Sequence, residues 1–371
     1  MYCKEGEKMD TKRAKVDYVD LSKYQRTIVI SDIHGDDGGF VGVLNKVGFS
    51  KEDALVIVGD ILGKGSHALK LLKRVCKCAE QGNVYMVAGN NDTILSEWFA
   101  GELTDEIVHW YVNSATTSII GEMASELKMQ YQSLDDVKAL KEAIKENYKK
   151  EIDFLDGLPH IIDSNAATFV HAGIKPGKLD EQDYEYCLTA QAFANETYRF
   201  DKMVIVGHWP ASNYRDGIIN ANAYFNENTN VLGIDGGNSM KSWQQINYLI
   251  IHNGEFEGGY YDHLPKVKVL ENQTASENPI TLIFPNTQIE VREELDEKSL
   301  CYVPYLDREI LIDNDNIYAY KGKVYCYDFT TYSLPVETGE ILAFCEKKKD
   351  GILVKRDGVV GNYVGKYEFV E

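Results

Sequence analysis

The chain has 371 residues, a formal net charge of −19 and 44% hydrophobic residues. This length exceeds an average domain, so one large domain or two unequal domains are expected. The negative charge repels nucleic-acid backbones and anionic membrane surfaces, which argues against both as partners. The N-terminal segment is polar, no run of about eighteen apolar residues occurs, and the seven cysteines are scattered. We therefore expect a cytoplasmic protein with reduced thiols.

The first part of the chain alternates between apolar runs, polar loops and helical stretches. This alternation extends from Arg26 to about Phe99 and predicts βαβ units with parallel strands. Over residues 101–155 the short apolar runs disappear, and Ser133 with Asp136 has the spacing of a capping box. The sequence thus predicts an α/β domain that contains a helical insertion, with the sheet pattern resuming at residues 161–259.

From about Lys266 the pattern changes to short β-branched and aromatic runs with frequent turn residues. The pairs Lys321-Gly322 and Asp357-Gly358 lie where hairpin turns are expected. We expect a polar segment at 1–24, an α/β domain at 25–265 and a small all-β domain at 266–371 that resembles a Src-homology-3-like barrel. This last domain is the candidate site for a protein partner or for self-association, and a stabilising appendage is the alternative.

Potential metal ligands follow the apolar runs of the α/β domain. Ligands of such sheets bind beyond the carboxyl ends of the strands, so we expect these side chains to converge. A further run, at 231–234, is followed by Asp235 and two glycines. Taken singly, each candidate is more often a turn residue, but joint occurrence at so many strand ends favours a site. The candidate ligands are Asp32, His34, Asp60, Asn90, His171 and His208.

These residue types suit two divalent ions. Asp32 and His34 can approach a first ion, and the carboxylate of Asp60 can bridge to a second, whose remaining ligands would be Asn90, His171 and His208. Oxygen and imidazole donors favour manganese, with iron or zinc as alternatives. Two such ions, about 3.5 to 4 Å apart, activate a shared hydroxide and neutralise phosphoryl charge. The pattern therefore predicts hydrolysis of a phosphate ester without a covalent intermediate.

The motifs around these residues resemble those of the calcineurin-like metallophosphoesterases, and within them the phosphoprotein phosphatase branch. The resemblance covers about residues 26–259. The segment 169–176 is similar to that of bacterial symmetrical diadenosine tetraphosphatases, and bacterial serine/threonine phosphatases are also similar. The family implies two β-sheets packed face to face with helices outside and a dinuclear site at one edge. The matching motifs are Asp32-Ile33-His34-Gly35, Gly59-Asp60 with Gly65, Gly89-Asn90, His171-Ala172-Gly173 and Gly207-His208. Two further stretches, Leu155-Asp156-Gly157-Leu158-Pro159 and Ile234-Asp235-Gly236-Gly237, also match family landmarks.

The chain departs from the family at two motifs. Where the family has Asp-Arg-Gly, this chain has Gly63-Lys64-Gly65. Where the family has Asn-His-Glu or Asn-His-Asp, this chain has Asn90-Asn91-Asp92. The family histidine is thought to protonate the leaving group, oriented by the aspartate. Gly63 and Asn91 together remove that pair, and Lys64 keeps a positive charge without the bidentate geometry of arginine. Asn91, Lys64 and Asp92 are our candidate catalytic residues.

Two further positions have open interpretations. His67 is a candidate substitute acid, or else a solvent-facing residue at a helix start. Arg199 is the nearest counterpart of a second phosphate-binding arginine of the family, or else a solvated side chain, and Gln191 is an alternative position. The resemblance alone does not choose between these.

Three functions are consistent with the sequence. The first is a metal-dependent phosphomonoester or phosphoprotein phosphatase, with a phosphorylated protein or nucleotide as its substrate. The second is a pyrophosphohydrolase of dinucleoside polyphosphates, which the His171 segment and the missing acid favour. The third is a catalytically degenerate phosphate-binding module, suggested by the changes at Gly63, Lys64 and Asn91. Retention of every candidate ligand favours an enzyme over a binding module.

Overall fold

The computed structural model describes residues 12–370, which fold as two compact units. Among the described residues, the first unit comprises 12–211 together with Asn222–His263. The second comprises Ser212–Ala221 and residues 264–370. The second unit thus includes a ten-residue segment from within the predicted α/β domain. Among residues 12–370, no helix combines the length and apolar character that a membrane crossing requires.

Two β-sheets form the centre of the first unit. One has the strand order β1-β5-β6-β7-β9-β8 and the other the order β11-β10-β2-β3-β4. Strands β2, β3 and β4 are parallel neighbours, as are β6, β7 and β9. Parallel neighbours end at one edge of a sheet, which brings the loops that follow them together. The strands are β1 (Val16–Val19), β2 (Thr27–Ile30), β3 (Ala54–Ile57), β4 (Val84–Met86), β5 (Ile161–Ser164), β6 (Thr168–Val170), β7 (Val204–Val206), β8 (Tyr224–Asn226), β9 (Val231–Gly233), β10 (Ile246–His252) and β11 (Glu255–Tyr261).

The two sheets share a hydrophobic core. Val29 and Val56, from one sheet, belong to the same buried cluster as Phe169 and Ile205 from the other. Successive residues of a strand point to opposite faces, so Ile28 belongs instead to a second cluster that includes the helices. Strands that are buried on both faces explain the continuous apolar runs of the sequence. The predicted fold class, two packed sheets flanked by helices, is confirmed.

The helices cover the outer faces and include the predicted insertion. Helix α1 begins after Asp36, whose carboxylate accepts a hydrogen bond from Gly39 N at 2.7 Å, and ends at Gly48 in the left-handed conformation. The capping box of Ser133 and Asp136 is present at the start of α6 and confirms that helix start. The helices are α1 (Asp37–Val47), α2 (Ala68–Ala79), α3 (Ile94–Ala100), α4 (Asp105–Ser114), α5 (Ile119–Leu127), α6 (Leu134–Asn147), α7 (Lys149–Gly157) and α8 (Tyr184–Thr189).

The second unit is built from β-strands. Its two five-stranded sheets have the orders β22-β21-β20-β12-β23 and β16-β15-β14-β18-β17, and β13 pairs with β19. Each large sheet contributes to a separate buried cluster, one including Val267 and Tyr363 and the other including Ile289 and Cys301. The region therefore contains two small cores, whereas the sequence suggested one barrel. The strands are β12 (Lys266–Val269), β13 (Thr281–Leu282), β14 (Gln288–Glu294), β15 (Lys298–Val303), β16 (Arg308–Asp313), β17 (Ile317–Tyr320), β18 (Lys323–Cys326), β19 (Phe329–Thr330), β20 (Ile341–Lys348), β21 (Gly351–Arg356), β22 (Val359–Tyr363) and β23 (Tyr367–Val370).

Both predicted hairpin turns are confirmed. Lys321 and Gly322 connect β17 to β18 with φ values of 48° and 75°, and Asp357 and Gly358 connect β21 to β22 with φ values of 50° and 80°. Positive φ at both central residues is the geometry that two-residue hairpins require. Glycine at the second position adopts it without steric cost.

The insertion holds the start of helix α2. The side chain of His67, the residue before α2, makes no capping hydrogen bond. Instead, the carboxylate of Glu122 on α5 accepts hydrogen bonds from Ala68 N and Leu69 N, both at 2.9 Å. Just before α5, Thr117 Oγ1 donates to the carbonyl of Lys64 at 2.8 Å. A carboxylate at a helix N-terminus satisfies free N–H groups and interacts favourably with the helix dipole.

We expect Glu122→Ala to lower the free energy of unfolding by about 1 to 2 kcal/mol, because two N–H groups of α2 lose their acceptor. Urea denaturation followed by tryptophan fluorescence measures this change. The control is Glu126→Ala on the same helix, where the lost partner is the exposed ammonium of Lys73. That variant should lose less than about 1 kcal/mol. Equal losses in the two variants would contradict the capping role.

Candidate metal centre

The six predicted ligands lie in loops beyond the ends of parallel strands, and the structure brings them together. Asp32 and His34 follow β2, Asp60 follows β3, His171 follows β6 and His208 follows β7. Asn90 follows β4. All six side chains are linked by contacts of 2.9 to 3.9 Å between side-chain oxygen and nitrogen atoms.

The loops that carry these residues have an unusual backbone. The φ angles of Asp32, His34, Asp60 and His208 are 51°, 50°, 55° and 63°, in the left-handed region that residues other than glycine seldom adopt. Backbone hydrogen bonds between neighbouring loops hold this conformation, from Asp32 N to Gly59 O at 3.1 Å and from His34 N to Asp60 O at 3.0 Å. Such strain is typical of functional sites, where the surrounding structure compensates for it.

One half of the site consists of Asp32, His34 and Asp60, whose potential ligand atoms all lie within 4.8 Å of one another. His34 Nε2 is 3.9 Å from Asp32 Oδ1 and 3.9 Å from Asp60 Oδ2. The other ring nitrogen, Nδ1, is 3.0 Å from the carbonyl of Leu62 and donates to it. This bond leaves the lone pair of Nε2 directed toward the carboxylates, the usual arrangement of a metal-binding histidine.

The other half consists of Asp60, Asn90, His171 and His208. Asp60 Oδ2 is 3.5 Å from His171 Nε2. Asn90 Oδ1 is 3.1 Å from His171 Nε2 and 2.9 Å from His208 Nδ1. Asp60 therefore faces both halves, as a bridging carboxylate must.

The arrangement around His171 tests whether this donor set suits a cation. Its Nδ1 is 2.9 Å from the carbonyl of Val58, which requires a proton on that nitrogen. The neutral ring then directs the lone pair of Nε2 toward Asn90 Oδ1, itself an acceptor, at 3.1 Å. Two acceptors in contact repel each other unless a cation or an added proton lies between them. The contact between His171 Nε2 and Asn90 Oδ1 therefore indicates that these residues suit a metal ion.

The electrostatics of the two central carboxylates differ. Burial alone raises the pKa of Asp60, but the neighbouring imidazoles of His171 and His34 and the hydrogen bonds from Asn91 bring it below its usual value. Burial raises the pKa of Asp32 well above its usual value, and the charges of Asp235 and Asp60 raise it further. Without a cation, Asp32 therefore holds a proton more readily than Asp60, and a bound cation would favour the charged form of both carboxylates.

Asp92, a predicted catalytic residue, supports the metal loops. Its carboxylate accepts hydrogen bonds from Asp60 N at 2.8 Å, Gly89 N at 2.9 Å and Leu62 N at 3.0 Å. Burial, followed by the charge of Asp60, raises the pKa of Asp92 to about 7. Through these contacts Asp92 holds the loops of the predicted ligands together, and its catalytic role stays a prediction.

Asn91 and Gly63, the two departures from the family motifs, occupy one space. Asn91 donates to both oxygens of Asp60, from its backbone N to Oδ1 at 2.8 Å and from Nδ2 to Oδ2 at 2.6 Å. A Cβ atom added at Gly63 would lie 2.8 Å from Asn91 Oδ1, and the φ of Gly63 is 82°. The asparagine side chain therefore takes up the room in which a longer side chain at position 63 would stand.

The remaining candidates lie toward solvent. The side chain of Lys64 is exposed, and its φ is 50°. His67 is exposed, and its Nδ1 is 3.0 Å from Ser66 Oγ. Arg199 is exposed and donates to the carbonyl of Glu227, which agrees with the solvated interpretation of this residue, and Gln191 is exposed as well.

Asp235 is a residue of the site to which the sequence analysis assigned no role. It follows β9, the parallel neighbour of β7, and is fully buried. Its Oδ1 accepts from Gly237 N at 2.7 Å, whereas Oδ2 has no hydrogen-bond partner among the described residues. Its place after an apolar run, which it shares with the predicted ligands, was the signal that could have identified it.

Comparison with known proteins identifies the family. The calcineurin-like phosphoesterase family model matches residues 25–228, more than half of the chain. The chain belongs to the calcineurin-like phosphoesterase family. This membership confirms the predicted class, that of metal-dependent phosphoester hydrolases.

Individual relatives match this chain over shorter stretches than the family model does. The chain is 35% identical over 65 residues to a symmetrical bis(5'-nucleosyl)-tetraphosphatase of Wigglesworthia glossinidia brevipalpis, covering 17% of this chain and 23% of that protein. It is 26% identical over 167 residues to the asymmetrical bis(5'-nucleosyl)-tetraphosphatase PrpE of Bacillus mycoides, covering 42% of this chain and 60% of that protein. The chain thus spans less than two thirds of either relative. A serine/threonine phosphatase structure from Saccharomyces cerevisiae is similar with a TM-score of 0.41 and 10% identity, covering 68% of this chain and 84% of that one.

We expect His208 in the metal-free protein to titrate at a pH near 4. Burial, and then the charge of His171, lowers the pKa of His208 to about 4, against about 6.5 in an unfolded chain. Between these values the unfolded chain binds the proton more readily, so lowering the pH through this window destabilises the protein. Histidine proton resonances measured by NMR, assigned with His208→Asn, give the midpoint. A midpoint near 6.5 would contradict the burial of this imidazole.

Proposed function

We propose that this chain is a dinuclear metal-dependent phosphoesterase whose substrate is a nucleotide polyphosphate, cleaved at a pyrophosphate bond. Asp32, His34 and Asp60 would hold one ion, and Asp60, Asn90, His171 and His208 the other. The donor set contains imidazole, carboxylate and amide groups and no thiolate, which favours manganese, with iron or zinc as alternatives. When bound, the two ions would lower the pKa of a shared water and neutralise charge on the phosphoryl oxygens.

The residues of the chain would orient these groups. The hydrogen bonds of His34 to Leu62 and of His171 to Val58 hold each imidazole with Nε2 toward the site. Asn91 holds the carboxylate of Asp60 in place through two hydrogen bonds. The exposed side chain of Lys64, in the loop that follows Asp60, would offer a positive charge that attracts a phosphate group.

The observation that carries the choice of substrate is the contact between Asn91 and Asp60. The amide of Asn91 donates to Asp60 Oδ2 and has no proton that it can release at physiological pH. Loss of a general acid costs about 10² to 10⁴-fold in rate, but only when the leaving group requires a proton. A nucleotide phosphate departs as a stable anion, whereas the hydroxyl of a protein side chain does not.

Because the leaving group of a dinucleoside polyphosphate needs no proton, these substrates rank ahead of the phosphomonoesters that were the first choice from the sequence. The names of the two relatives, both bis(5'-nucleosyl)-tetraphosphatases, also support the choice. Because the chain matches only part of each relative, the substrate needs a direct assay.

We expect the manganese-loaded protein to hydrolyse diadenosine tetraphosphate with a kcat/KM at least about ten times that for a phosphoserine peptide. Nucleotide products separated by chromatography and released phosphate measure the two reactions. Asp60→Asn, which removes charge from both halves of the site, should abolish both activities. Faster turnover of the phosphopeptide would support a phosphoprotein phosphatase instead. Binding of manganese and phosphate with no hydrolysis of either substrate would favour the binding module.

We further expect the double variant Gly63→Asp with Asn91→His to hydrolyse alkyl phosphates faster. An imidazole that is oriented by a carboxylate can protonate an alkoxide leaving group, so the gain should be about tenfold or more. It should be much smaller for para-nitrophenyl phosphate, which needs no proton. Kinetics with a series of phosphate monoesters of different leaving-group pKa measure the dependence. The single variant Asn91→His is the matched control, and an equal change for all leaving groups would contradict the argument.

A further inference from the structure

Asp235 is a buried carboxylate without a complete set of partners. Its side chain is inaccessible to solvent, and no described residue donates a hydrogen bond to Oδ2. An unpaired buried carboxylate oxygen is costly, and such atoms in folded proteins usually face an ion, a water or a functional group. The orientation of this side chain is well defined, because Gly237 N donates to Oδ1 at 2.7 Å.

The electrostatic partners of Asp235 are residues of the metal centre. Burial raises the pKa of Asp235, the hydrogen bond from Gly237 N and the charges of His34 and His171 lower it, and the charge of Asp60 raises it. After burial, the charge of Asp235 is the largest cause of the raised pKa of Asp32, ahead of the charge of Asp60. The fold agrees with this influence, because β9 is the parallel neighbour of β7 and the two loops that follow these strands carry Asp235 and His208.

We propose that Asp235 is a positioning residue of the metal centre that strengthens cation binding by the Asp32, His34 and Asp60 half. It does not belong to the group of ligand atoms that lie within 4.8 Å of one another. It would therefore act through its charge and not as an added member of that group. This proposal depends on the metal site of the proposed function but not on the reaction or its substrate.

The chemistry of the site explains why a third carboxylate would be useful. A buried charge near a dication contributes substantially to its binding, because solvent screening is weak in a protein interior. Without a cation, the same carboxylate only adds repulsion to Asp32 and Asp60. Asp235 should therefore destabilise the metal-free protein and stabilise the metal-bound one.

The test is manganese binding to the purified full-length protein with Asp235→Asn. Asparagine has the same shape and keeps the acceptor for Gly237 N, so the turn should be retained. Isothermal titration calorimetry of the metal-free proteins with manganese chloride should show one of the two sites weakened by about tenfold or more. The metal-free variant should melt at a temperature equal to or above that of the wild type, while the rise in melting temperature on adding manganese should be smaller.

The matched control is Asp36→Asn. Asp36 is also an aspartate and follows His34 by two residues in the sequence, but its carboxylate accepts a hydrogen bond from Gly39 N as the N-cap of α1. Asparagine is an equally good N-cap, so this variant should bind manganese within about threefold of the wild type.

Three outcomes would overturn the proposal. Unchanged manganese affinity in Asp235→Asn would remove the role of Asp235 while leaving the proposed metal site and function intact. A lower melting temperature of the metal-free variant with unchanged affinity would show a purely structural role. Absence of manganese binding by the wild type would overturn this proposal and the proposed function together.

Discussion

The whole site depends on how the carboxylate of Asp60 is held. It is buried beyond the end of β3, its Oδ2 lies 3.9 Å from His34 Nε2 and 3.5 Å from His171 Nε2, and it receives two hydrogen bonds from Asn91. The backbone N–H of Asp60 donates a hydrogen bond to the carboxylate of Asp92. The hydrogen bonds from Asn91 restrict rotation of the Asp60 carboxylate, so it keeps its position toward both imidazoles.

The two-sheet architecture supplies the framework for this geometry. Loops after β2, β3 and β4 meet loops after β6, β7 and β9 because parallel strands in each sheet end at one edge. Their backbones hydrogen-bond to one another, as between His34 N and Asp60 O, which allows left-handed conformations that a free loop would not keep. The helical insertion adds a further constraint through Glu122, which holds the start of the helix that follows Lys64.

Much of this arrangement was predictable from the sequence. Apolar runs followed by Asp32, Asp60, His171 and His208 indicated both the strands and the convergence of the residues beyond them. The separation of the C-terminal region into two cores was not predictable, because an alternating pattern shows which face of a strand is buried but not which strands pair. The capping of α2 by Glu122 could not be predicted from the sequence either, because it joins residues more than fifty positions apart.

Asp235 shows a different limit to what can be predicted from the sequence. Its position after an apolar run was visible, but only the three-dimensional structure shows that one of its oxygens lacks a partner. Sequence patterns locate potential donors and acceptors, whereas satisfaction of a hydrogen bond is a property of the packed interior. Asn91 is similar, since its contact with Asp60 gives a positive role to a residue that the motif comparison treated as a loss.

The shared space of Gly63 and Asn91 makes the two positions interdependent. A side chain introduced at position 63 alone would meet Asn91 Oδ1 at 2.8 Å, and a histidine introduced at position 91 alone would have no carboxylate at position 63 to orient it. Substitutions at the two positions should therefore be non-additive, so that the effect of either one depends on the residue at the other.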